Sequence, residues 1–393
     1  MENLKFINQE TIKGLNQKKI IRLLYRKKQL TKQEISQALK ISIPTVISNV
    51  TELIGQGLLD ETRIGESSGG RKPVIVRFLP DSRYSFGVLV TNEQVKIILT
   101  NLNFDIIEEK ILNVSVKVDD FKSIIGEIKE EINNIITTNN LPLDKILGVG
   151  FSLPGTVDEE ILLLKNAPNL KLENISFKDF EHDFRVPLYI ENEANASAYA
   201  EAFINFNHVK NSLVFISINE GIGTGIIIIN NVYKGYNKRA GEFGHMTIVK
   251  DGKQCNCGKK GCWELYASRK ALLDEYKSVF DIKNKSLKYF VQMSKTDPDA
   301  KKILNSYLEN LAEGIKNIIL ILDPGSIVID GEISDYKNLI ETKLRNKIFE
   351  KNTLYDKDEC NVSFSNLKGN ASIFGAALLP MKKIFFLNES VVV

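Results

Sequence analysis

The chain has 393 residues, 43% hydrophobic and 26% charged, which excludes wholesale disorder and a fibrous repeat and, at roughly 100–200 residues per domain, suggests two or three domains. No apolar run approaches the roughly 18–20 residues of a membrane span, and the N-terminus, MENLKFINQE, lacks the charged-then-apolar pattern of a secretory leader, so a cytoplasmic protein with no membrane partner is expected. The net charge of +3 hides an asymmetry: residues 1–80 hold 14 Lys and Arg against 7 Asp and Glu, and the remainder is slightly acidic. A small basic module joined to a larger acidic one fits a nucleic-acid reader coupled to something else; on charge alone, a solvated basic helix fits equally well.

Ile12, Leu15, Ile20, Leu23 and Leu24 recur at roughly helical spacing and predict a first helix ending at Arg26-Lys27-Lys28. Thr31 stands three residues before Glu34, the capping-box spacing, and opens a short helix through Ile35, Ala38 and Leu39. Ser42, with Pro44 in the first turn, caps a third helix that Gly55 and Gly57 stop. Its inward face is expected to be Val46, Ile47, Val50 and Leu53; Ser42, Thr45, Ser48 and Asn49 are the candidates to reach bases and phosphates. A strand from Leu58-Leu59, a basic tip over 66–73 and a return strand Val74–Phe78 complete a winged helix-turn-helix, with Arg71 and Lys72 placed to clamp phosphates or enter a minor groove.

From Tyr84 onward, strand-like runs (Ser85–Val90, Val95–Thr100, Leu147–Phe151, Leu213–Ile218, Gly225–Ile229) alternate with helical stretches, among them a long one from about Lys301 to Leu322. That alternation indicates α/β layering. Four cysteines are too few for a disulfide framework, and Cys255, Cys257 and Cys262 crowd into eight residues. With His245 they form an H-x9-C-x-C-x4-C set, one imidazole and three thiolates suited to a tetrahedral structural zinc with no open position for water. Cys360 stands apart and reads as a core residue.

Gly150-Phe-Ser-Leu-Pro-Gly155-Thr-Val-Asp158, Glu191-Asn192-Glu193-Ala194-Asn195, Gly221-Ile-Gly223-Thr-Gly225, Ala240-Gly-Glu242-Phe-Gly-His245 and Cys255–Glu264 resemble, in order, the motifs of the ROK family of repressors and sugar kinases. With the N-terminal module the chain resembles the family's repressors along essentially its whole length. The resemblance implies an α/β fold: a winged helix-turn-helix over 1–80, then a two-lobed, actin-like ATPase (ribonuclease H-like) domain over 81–393 with a sugar cleft between lobes. It further implies that Gly155, Asn192, Glu193, Glu242, His245 and Glu264 line that cleft. Where the family's kinases carry an Asp-x-Gly-Gly-Thr loop, this chain has Leu89, Thr91, Asn92 and Glu93, and Glu193 replaces the catalytic aspartate. The expectation is therefore a sugar-responsive repressor and not an enzyme, with operator DNA and a monosaccharide as partners, a structural zinc, and a homodimer or homotetramer. A sugar kinase, a regulator answering to a protein partner, and an activator remain the alternatives.

Overall fold

The computed structural model describes residues 9–63, 74–114, 121–205, 212–229, 231–280, 286–350 and 354–385. The head contains α1 (Gln9–Lys27), β1 (Gln29–Thr31), α2 (Lys32–Leu39), α3 (Ile43–Gly55), β2 (Leu59–Arg63) and β3 (Val74–Phe78). The caps form as the sequence predicts. Thr31 accepts from the Glu34 N–H while Glu34 accepts from the Thr31 N–H, and Ser42 Oγ accepts from the Thr45 N–H at 3.3 Å. A short strand that the sequence reading passed over, β1, pairs with β3 to give the antiparallel order β1-β3-β2.

One expectation is overturned. Asn49, read as a base-reading residue, is only 2% exposed and donates its Nδ2 to Thr45 O at 2.7 Å, while Ile47, read as core, is 44% exposed. The buried stripe of α3 is Val46, Asn49, Val50 and Leu53. Positions three, four and seven apart share a helix face, which admits Asn49 beside Leu53 and turns Ile47 outward. The predicted wing residues Arg71 and Lys72 lie outside the described residues.

The chain continues through β4 (Tyr84–Val90), β5 (Val95–Asn101), β6 (Ile106–Leu112), α4 (Phe121–Thr138), β7 (Ile146–Leu153), β8 (Thr156–Asp158), β9 (Leu163–Ala167), β10 (Leu172–Ser176), β11 (Leu188–Asn192), α5 (Glu193–Ile204), β12 (Ser212–Ile218), β13 (Ile222–Ile228) and β14 (Asn231–Val232). It ends with α6 (Glu264–Ala267), α7 (Arg269–Val279), α8 (Leu287–Met293), α9 (Pro298–Leu322), β15 (Ser326–Asp330), α10 (Lys337–Phe349), β16 (Asn361–Phe364) and α11 (Ala371–Phe385). Two five-stranded sheets result, ordered β11-β7-β4-β5-β6 and β14-β13-β12-β15-β16. Counted within each sheet, both have the same order: third, second, first, fourth, fifth. In the second sheet β12 pairs antiparallel with β13 and parallel with β15. No described helix is long and apolar enough to cross a membrane.

The chain divides into two compact units, one of residues 1–151, 176–189 and 376–393, the other of 152–175 and 190–375. In the first unit the head is tied down by aromatic rings: Tyr25 of α1, Phe78 of β3 and Phe385 of α11 pack with centroids 5.4–6.2 Å apart. Lys28 donates to Asn103, and Arg83 donates to Gln56 O at 2.9 Å. In the second unit α9 lays Ile303, Tyr307, Leu311, Ile315 and Ile318 into a core shared with Ile216 of β12 and Ile329 of β15. Asp297 caps that helix and Pro298 occupies its first turn, so it starts earlier than its apolar pattern alone predicts.

Phe385 is fully buried. Phe385→Ala is expected to cost about 3–5 kcal/mol, read as a lower denaturant midpoint with faster proteolysis of the head.

Candidate functional site

The second unit gathers the His/Cys set around the Cys262-Trp263-Glu264 segment. Trp263 is fully buried in the α9 core, donates its indole Nε1–H to Asn310 O at 2.9 Å, and donates its backbone N–H to Met246 O at 2.8 Å. Its two sequence neighbours, Cys262 and Glu264, are thereby held at a fixed point. His245 ends a short 3-10 turn, Phe243–His245, and Thr224 of β13 donates its hydroxyl to Gly241 O just before that turn.

The ligand atoms of His245, Cys255, Cys257 and Cys262 all lie within 4.8 Å of one another. Cys257 Sγ and Cys262 Sγ are 3.6 Å apart, and Cys255 Sγ is 3.6 Å from His245 Nδ1. Tetrahedral zinc bonds of about 2.0–2.3 Å place neighbouring ligand atoms roughly 3.6–3.8 Å apart; two pairs already stand at that spacing, and the set could hold a metal ion. The loop tolerates this crowding because residue 261 is glycine: at φ +76°, a Cβ there would sit 1.7 Å from Val249 O. Burial pushes the Cys255 thiol up to about 12, so the proton must be displaced as a metal binds.

Glu264 Oε1 lies 3.3 Å from both His245 Nδ1 and Cys255 Sγ. Its Oε2 rests on the Gly221 turn, 2.7 Å from where a Cβ would stand, so a side chain at 221 would displace it. Glu242 Oε2 is 3.9 Å from His245 Nε2 and largely exposed. Glu242 and Glu264 thus both lie close to His245. Asn192 is placed differently from a simple ligand-binding amide. Its Oδ1 caps α5, accepting from the Ala194 and Asn195 N–H groups at 2.9 and 3.1 Å, and its Nδ2 donates to Gly155 O at 2.8 Å. It joins Gly155 to the start of α5 and has one amide N–H left to offer a ligand.

Glu193 follows at the first position of α5. Burial and the nearby Asp330 carboxylate both push its carboxyl above the ordinary range, and Asp330, at the end of β15, is itself raised by burial.

Several positioning residues escaped the sequence reading. Glu191, almost wholly buried, receives the Asn192 N–H at 3.0 Å and the Lys234 Nζ at 2.7 Å, and Lys234 also pairs with Glu159 at 2.5 Å. Burial works against the charge on Lys234, but the two carboxylates outweigh it and hold the amine above its ordinary value. Arg269 bridges Glu220, beside the glycine turn, and Glu332 at 3.1 Å. Glu191 lies inside a motif noted in the sequence, whereas nothing local to Lys234 or Arg269 marks either as a partner.

Residues 86–383 match the ROK family, and residues 15–60 match a winged helix-turn-helix DNA-binding family. A xylose repressor of Bacillus spizizenii is 31% identical over 345 residues, covering 87% of this chain and 88% of that one. The solved structure of a ROK family transcriptional regulator, described as a homolog of the E. coli MLC protein, superposes with a TM-score of 0.81 at 22% identity, covering 96% of this chain and 98% of the other. A ROK family glucokinase from Streptomyces griseus, solved with glucose and AMPPNP, superposes at 0.62 and 23% identity over 75% of this chain and 98% of that one.

The Glu193–Asp330 pair has a pH signature. Both carboxyls are raised in the folded state, so the folded chain holds protons that the unfolded chain has released, and stability falls as pH rises above the ordinary carboxylate range. Thermal midpoints measured from pH 4 to 8 are expected to decline through that window, and Glu193→Gln to flatten the decline and raise the midpoint at pH 8.

Proposed function

The chain belongs to the ROK family, and we propose that within it this protein is a transcriptional repressor released from its operator by a monosaccharide. One observation carries the reading: a helix-turn-helix head and the polar group around His245 are built into a single chain. Residues 1–80 read DNA and 81–393 take the effector. A repressor named for xylose among the relatives makes that pentose the first monosaccharide to test.

Glu242, His245, Glu264 and the remaining Asn192 amide N–H offer the mixed donors and acceptors that adjacent sugar hydroxyls require. A site built to bond hydroxyls discriminates against analogues that lack them. Zinc, when bound, supplies a rigid cross-link between His245 and the three cysteines. Nδ1 of His245 faces the metal position and Nε2 faces Glu242, so the imidazole would be oriented toward ligand by the same contact that anchors it. The chain's residues thereby tie sugar affinity to metal loading.

Phosphoryl transfer is not part of this reading. The β4–β5 connection closes on itself, with the Thr91 N–H and hydroxyl both donating to Gln94 O at 3.0 and 2.8 Å. It contains no glycine, and Glu93 opposes a phosphate by charge. Two such heads in a homodimer would hold two half-sites. Effector binding that favours one arrangement by about 1–3 kcal/mol would change operator affinity roughly 5–150-fold.

In a gel shift with promoter fragments, the full chain is expected to retard DNA and to be released by one monosaccharide from a panel, while sugar-dependent ATP consumption stays at background; phosphate transfer to a sugar would refute the reading. Cys257→Ser is expected to lose zinc, measured by metal analysis of the purified protein, and to weaken sugar release at least tenfold without weakening operator binding.

A further inference from the structure

In the turn-linked pair of the head, α3 is the second helix, the element whose N-terminal half meets base edges in a major groove. What that helix offers is unusual in kind. Ile43–Gly55 contains one charged residue, Glu52, and it is engaged by Lys13 and by Gln17 at 2.5 Å. It contains one amide, Asn49, which is buried and bonded to the helix backbone. The side chains that read guanine (Arg or Lys) and adenine (Asn or Gln) are therefore absent from the exposed face of α3. Exposed instead are Ile43 at 38% and Ile47 at 44%, with Pro44, Ser48 and Thr51 beside them.

Two bulky aliphatic side chains four residues apart lie one above the other on a helix face. A major groove presents one apolar group at a base edge, the C5-methyl of thymine. Resting on the DNA-binding reading above, we infer that Ile43 and Ile47 select thymine in each half-site by packing against its methyl group, while phosphate contacts from the rest of the head supply sequence-independent affinity. Four residues of helix rise about 6 Å. Base-pair steps are about 3.4 Å, so a helix lying along the groove would place the two selected thymines within about two steps of each other. Ser48, exposed one residue after Ile47, adds a hydroxyl that hydrogen-bonds either base type.

The test uses the full-length protein. Bound fragments are selected from random duplex DNA and footprinted, and each thymine of the half-site is then replaced by uracil, which keeps base pairing and removes only the methyl. Losing one buried methyl should weaken binding about three- to fivefold, at one or two positions per half-site and not elsewhere. Ile47→Ala should weaken binding to thymine DNA by a similar factor and abolish the uracil effect at its own position; both isoleucines are exposed, so the variant folds. The inference is overturned if uracil is tolerated within twofold at every position, or if Ile47→Ala weakens thymine and uracil duplexes equally. It is equally overturned if Ile43→Ala or Ile47→Ala changes the oligomeric state in light scattering, which would assign this face to a second copy of the chain. Failure of the full chain to bind any duplex at low salt would remove the DNA-binding reading itself, a result distinct from binding without methyl discrimination.

Discussion

The burial of Trp263 governs the second unit. Its indole occupies the α9 core and spends its one polar hydrogen on Asn310 O, so the backbone on either side cannot slide along the helix. Gly314 is shaped to that ring, since any Cβ there would stand about 2.0 Å from the indole. Cys262 and Glu264 inherit their places from this anchor. Through Cys262 so do His245, Cys255 and Cys257, which cluster with it. The hydrophobic core and the His/Cys cluster are consequently one structure, and a core substitution near Trp263 would be felt in the placement of Cys262 and Glu264.

Much of the head was legible because its determinants are local. The Thr31–Glu34 box and the Ser42 cap depend on residues three apart, and both form as written. The face of α3 was legible only in part. Residue type placed Ile47 inside and Asn49 outside, but the helix period sets direction, and the site tolerates an amide that can bond back to Thr45 O. The Asn49 Nδ2 finds a local partner while its Oδ1 is buried without one, and that arrangement is invisible in a composition-based reading. The strand β1 was missed because three residues between two helices carry no alternation to detect.

The candidate site divides along the same line. His245 and the three cysteines stand out because metal ligands cluster in sequence, and the fold brings all four together. Glu264 and Glu242 could be placed through their neighbours to those ligands. The Glu191–Lys234–Glu159 chain and the Arg269 bridge join segments dozens of residues apart, where only the fold creates the partnership. Asp330 belongs with them: its effect on Glu193 arises from strand β15 ending beside the first turn of α5.

The aromatic nest of Tyr25, Phe78 and Phe385 has a bearing on biosynthesis. Two of its rings leave the ribosome early, whereas the third belongs to a helix translated after roughly 300 further residues. At elongation rates of about 5–20 residues per second, the head waits roughly 15–60 s for its last contact. A nascent chain stalled before α11 would thus carry a winged helix with an open apolar seam, a natural substrate for chaperones.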